Sequence, residues 1–89
     1  MFSTNLKIKD VKLEVGHLVK CYRKREKLSR QDLAEKLNLS RITIQNLESG
    51  KNVTIDTLLK IMQYFELLGD FNLFLRVKRL DNEQVESLY

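Results

Sequence analysis

The chain has no proline and only three glycines, Gly16, Gly50 and Gly69. Sandwiches, barrels and loop-rich scaffolds need frequent turns, and turns draw heavily on those two residue types. Their scarcity points to helices. The length of 89 residues allows one domain, and a chain of this size buries only about 60–65% of its unfolded surface, so its core is small. A composition 43% hydrophobic and 31% charged fits a packed globule rather than a disordered chain. No apolar run approaches the ~18 residues of a membrane span, and no signal peptide is expected ahead of the domain. The single cysteine, Cys21, cannot form an internal disulfide and fits a reducing compartment.

Charge is unevenly spread. Residues 1–51 hold twelve Lys/Arg against six Asp/Glu, a net of +6, whereas residues 52–89 hold four against six, a net of −2. A basic front and a mildly acidic back suggest one face meant for a polyanion.

Residues 1–9 show no sustained periodicity and are expected to form an N-terminal arm. From Asp10, a capping residue, Val11, Val15, Leu18, Val19 and Tyr22 recur at helical spacing, giving a first helix to about Glu26. Gly16 inside it costs up to ~1 kcal/mol against alanine, which suggests that another backbone packs close there. Ser29 caps a second helix with the stripe Leu33, Ala34 and Leu37, and Asn38 follows where the chain must turn. Ser40 caps a third helix, stopped at Gly50. Thr54 caps a fourth, with Ile55, Leu58, Leu59, Ile61, Met62 and Phe65 on its buried side. A short fifth helix begins near Gly69-Asp70. Residues 76–89 form a tail that reads two ways: Val77, Leu80, Gln84 and Leu88 would share a helical face, while Leu75 to Lys78 alternate as a strand would.

The second and third helices are separated by about three residues, the spacing of a helix-turn-helix. On a wheel of the third helix, Ile44 and Leu47 fall on one side with Ser40 and Glu48 flanking them. The opposite side carries Ile42, Gln45, Asn46 and Ser49, with Arg41 at the margin. Arginine pairs with guanine edges, glutamine and asparagine pair with adenine, and an exposed Ile42 could meet a thymine methyl.

The segment 28–51, LSRQDLAEKLNLSRITIQNLESGK, resembles the λ-repressor/Cro (XRE-type) helix-turn-helix family, whose pattern is roughly L-T-Q-x-E-L-A-x-x-x-G-V-S-x-x-T-I-S-x-I-E-x-G-K. The resemblance extends upstream through Val15 to Arg23 and downstream through Thr54 to Ile61, covering residues ~11–75. It implies an all-α, five-helix, λ-repressor-like domain over residues 10–75. The function implied is sequence-specific binding of double-stranded DNA by a transcriptional regulator, a repressor, with the third helix in the major groove. Carried over by position, Arg41, Ile42, Gln45 and Asn46 read bases; Arg30, Ser40, Thr43 and Lys51 touch phosphate; Arg23 and Glu48 pair between the first and third helices. Arg30 stands where the family usually has glutamine, and Asn38 replaces the usual glycine.

Repressors of this type generally bind as two-fold dimers on palindromic operators. The apolar excess from Leu67 to Leu75 suggests a homodimer interface centred on Phe71, Phe74 and Leu75. Two other readings differ in their partners. One is the DNA-binding antitoxin of a toxin–antitoxin pair, with the toxin contacted by the C-terminal region; the other is a protein-interaction module without DNA binding. His17 is the only histidine and reads as a surface residue, and Cys21 reads as a small, partly packed one. No metal set, cofactor or catalytic group can be assembled, so an enzyme is not expected. The resemblance places such a protein in the cytoplasm of a prokaryote, or in a phage-infected one, at the nucleoid.

Overall fold

A computed structural model describes residues 5–86. Five helices follow in order: α1 (Ile8–Arg25), α2 (Arg30–Leu37), α3 (Arg41–Glu48), α4 (Ile55–Tyr64) and α5 (Leu68–Glu86). No strand occurs among the described residues, and the fold is all-α. The side chains of Val19, Leu33, Ala34, Ile44, Leu47, Ile61 and Phe65 form the core, with Val15, Tyr22, Leu28, Leu37, Leu39, Leu58 and Leu67 packed around it. Tyr22 and Tyr64 lie against Phe65, with ring centroids 5.5 and 5.1 Å away.

Three of the helix starts are capped as their sequences suggest. The hydroxyls of Ser29, Ser40 and Thr54 accept the backbone N–H of Asp32, Thr43 and Thr57 at 2.9, 3.0 and 3.1 Å. Asp32 returns the favour by accepting the Ser29 N–H at 2.9 Å, and that backbone bond, with the Ser29 hydroxyl, lowers its pKa. Asp10 does not cap α1. The helix begins two residues earlier, at Ile8, and Asp10 sits in its first turn, where it accepts the Lys7 N–H at 2.9 Å. Lys9 is therefore helical rather than part of an arm, and residues 1–4 of the expected arm lie outside the described residues.

Four helices end in the same way, with one residue in the left-handed region: Lys27, Asn38, Gly50 and Glu66, at φ 59°, 56°, 76° and 61°. The residue after each donates its N–H five positions back: Leu28 to Arg23, Leu39 to Ala34, Lys51 to Asn46 and Leu67 to Met62, at 2.7–3.1 Å. This closure satisfies carbonyls that the helix end would leave bare. Three of the four donors are leucines that pack on the core. The fourth, Lys51, is exposed.

Several apolar positions differ from the pattern's reading. Of the apolar positions expected to line α1, only Val19 is buried; Val15 and Tyr22 are half-buried, and Val11 and Leu18 are exposed. On α4, Ile55 is 71% exposed because it lies at the first turn, beyond the end of the core. Cys21 is exposed rather than partly packed. The larger correction concerns the fifth helix. It is not short, and the stretch from Leu75 to Lys78 is not a strand: α5 runs unbroken for 19 residues through position 76. Leu88 lies outside the described residues.

Candidate nucleic-acid interface

The candidate recognition helix is seated by what lies beneath it. Ile44 and Leu47 are buried, and α3 packs chiefly on α1 and α2. Its C-terminal end meets α1 backbone to backbone at Gly16. A Cβ built on that glycine would lie 2.5 Å from the Glu48 carbonyl oxygen and 2.7 Å from that of Leu47. The close approach suggested by a glycine inside a helix is therefore between α1 and the end of α3.

Glu48 anchors the same end electrostatically. Arg23 donates its Nε to Glu48 Oε2 at 2.6 Å and its Nη2 to Oε1 at 3.0 Å, a two-pronged pair. The Arg23 Nη1 donates to the Leu28 carbonyl at 2.8 Å, which ties the α1–α2 turn to the same guanidinium. A second arginine joins them: Arg30, the first residue of α2, donates its Nε to Glu48 Oε1 at 3.0 Å. The Arg23 and Glu48 side chains are 8% and 1% exposed, and that of Arg30 is 35% exposed. Burial pushes the Glu48 pKa up, but the bonds from Arg23 and Arg30 outweigh it and hold the carboxyl below its ordinary value.

The residues assigned to base reading stand on the outer side of α3. Arg41 and Ile42 are exposed, Gln45 and Asn46 half-buried. The Arg41 Nη1 donates to Gln45 Oε1 at 3.0 Å, so two of the four side chains hold each other one turn apart. Of the residues assigned to phosphate, Ser40 is used locally as the cap, and its Oγ also lies 2.8 Å from Thr43 Oγ1. Lys51 is exposed at the end of α3, and Arg30 is half-turned toward Glu48.

The residues expected at an interface, Phe71, Phe74 and Leu75, lie within about 100° of one another around α5. Phe71 is half-buried, while Phe74 and Leu75 are 55% and 48% exposed. At about 100° per residue, Leu75 lies on the far side of α5 from the exposed stripe Leu73, Val77 and Leu80. Phe74 lies beside that stripe, with the Lys78 amine 5.9 Å from its ring centroid.

Sequence reasoning missed the Arg30–Glu48 bond. The residues are 18 positions apart on different helices, and no spacing rule links them. It also missed the exposed apolar run on α1, whose Val11 and Val15 line a groove of about 540 Å³ with Ile8, Leu47, Val53 and Leu58. Among the described residues no group of His, Cys, Asp and Glu gathers as a metal set, and no helix is long and apolar enough to cross a membrane.

The helix-turn-helix family matches residues 19–68, more than half of the chain, from the second half of α1 to the start of α5. No curated protein matches. The match spans both helices of the motif, the Ala34 and Gly50 positions and the buried Ile44, Leu47 and Glu48 that seat α3. On that match and this geometry, the chain belongs to the helix-turn-helix family of DNA-binding regulators, of the λ-repressor/Cro (XRE) type.

Proposed function

We propose that the protein is a sequence-specific transcriptional repressor that binds a palindromic operator as a homodimer and lays α3 in the major groove. The observation that carries this reading is the division of α3 into two sides. Ile44, Leu47 and Glu48 are buried and fix the helix, while Arg41, Ile42, Gln45 and Asn46 point away from the core. A helix held this firmly by one side offers the other to base edges. Lys51 and Arg30 flank it and supply charge for the backbone.

Dimerisation is supported by α5. Leu73, Val77 and Leu80 are all exposed and recur at spacings of four and three, the pattern of a helix-pairing seam. A single recognition helix reads too few base pairs to locate a site in a genome, and two related by a dyad read twice as many. The proposed contact is the Leu73–Val77–Leu80 stripe with Phe74 at its edge, and the adjoining face of Phe71, Phe74 and Leu75 is the alternative contact on the same helix.

The antitoxin reading has one observation in its favour, the apolar groove beside Ile8 and Val11, which gives a protein partner a place to dock. A second chain co-purifying in fixed ratio would favour it. The deciding experiment for the main reading is selection of bound sequences from a random DNA pool. The expected product is an inverted repeat with half-sites about one helical turn apart. Failure to enrich any sequence overturns the reading.

A further inference from the structure

We propose that Glu48 is a positioning residue for DNA binding: from inside the fold its carboxylate holds the Arg30 guanidinium by Nε, leaving the terminal nitrogens of that guanidinium for a backbone phosphate. The inference rests on the DNA-binding reading and goes beyond it, because Glu48 itself is buried and touches no base or phosphate.

Glu48 is already matched by Arg23, which gives it two N–H bonds and is nearly inaccessible. Every nitrogen of the Arg23 guanidinium is engaged, since its remaining terminal nitrogen donates to the Leu28 carbonyl. A purely structural ion pair is complete at that point. A second guanidinium on the same carboxylate leaves the cluster with one positive charge in excess, which a further anion would neutralise. The excess charge resides on Arg30, whose side chain is 35% exposed and is bonded only through Nε among the described residues. Arginine's planar fork fits a phosphate with two parallel N–H bonds, and fixing Nε removes much of the rotational freedom that such a contact would otherwise have to lose. Lysine at this position has no counterpart to Nε and could not be held and donate in this way.

The test is a double-mutant cycle read by binding to a mixed-sequence duplex about two helical turns long at low salt. Glu48→Gln should lower affinity about tenfold with Arg30 present and less than about twofold in an Arg30→Ala background, both measured well below the unfolding temperature. Arg30→Lys, which keeps the charge and leaves the buried pair intact, should lose about fivefold with an unchanged salt slope. It carries the test alone if Glu48→Gln does not fold. Equal losses from Glu48→Gln in both backgrounds, or full affinity in Arg30→Lys, would overturn the positioning role while leaving DNA binding intact. Absence of binding by the unsubstituted protein would instead overturn the DNA-binding reading and this role with it. The Arg30 Nε–H resonance, followed by NMR in the free protein, reads the contact itself: slow exchange that Glu48→Gln abolishes supports it, and fast exchange in the unsubstituted protein overturns it.

Discussion

Replacing Gly16 by alanine sets helix propensity against space. Alanine is favoured in a helix interior by up to about 1 kcal/mol, but its methyl would press on the backbone carbonyls of Leu47 and Glu48, which cannot swing aside as a side chain can. We expect a net loss of about 1–3 kcal/mol, the usual cost of overpacking, seen as a lower midpoint in urea unfolding. The Arg23–Glu48 pair behaves differently because charge is at stake. Glu48→Ala leaves Arg23 buried without its partner, and the expected cost is about 3–5 kcal/mol. The pair also sets an acid limit. Since the Glu48 pKa in the folded protein lies below its ordinary value of 4.5, the unfolded chain binds the proton more readily over the interval between them. The stabilisation is complete above the ordinary value and is lost as pH falls through the folded one. Thermal unfolding followed across that interval should decline more steeply in the unsubstituted protein than in Glu48→Gln.

The helix ends account for much of what could be read from the sequence and for part of what could not. Caps at Ser29, Ser40 and Thr54 are local signals, a hydroxyl three residues ahead of the amide it accepts, and they locate three helix starts. The left-handed stops at Asn38 and Gly50 are legible for the same reason, because asparagine and glycine tolerate that conformation. Those at Lys27 and Glu66 are not, since nothing in a lysine or a glutamate announces a stop. Lys27→Gly and Glu66→Gly should each raise stability by up to about 1 kcal/mol by relieving the side-chain cost of positive φ, measured as an upward shift in unfolding midpoint. The continuation of α5 was hidden by its own composition. Apolar residues occur all round it, so Leu75 to Lys78 can be read with period two as easily as with a helical period. The family resemblance placed Arg23 and Glu48 opposite each other. It could not place Arg30 on Glu48, because glutamine usually stands at that position.

At the scale of the whole molecule, the radius of gyration of 15.8 Å exceeds the roughly 12 Å of a compact chain this long. The excess reflects α5, which packs mainly on α4 and carries its exposed stripe along its middle. Val77→Asp should therefore give folded monomers with weakened operator binding, and sedimentation of the unsubstituted protein at tens of micromolar should show a dimer. A monomer there would remove the proposed seam. Lys51→Ala should weaken binding to all sequences alike and reduce the salt slope by about one unit, whereas Asn46→Ala should relax specificity by about 1–3 kcal/mol at one position. A uniform loss in both would place the reading face elsewhere. The seat of α3 has a further consequence. The depth and tilt of that helix are set by Ile44, Leu47, Glu48 and the missing methyl at Gly16, none of which belongs to the outward set. On the proposed reading, residues 41, 42, 45 and 46 should accept joint replacement while the seat stays in place, and library selection at those four codons should then yield folded variants with a new DNA target.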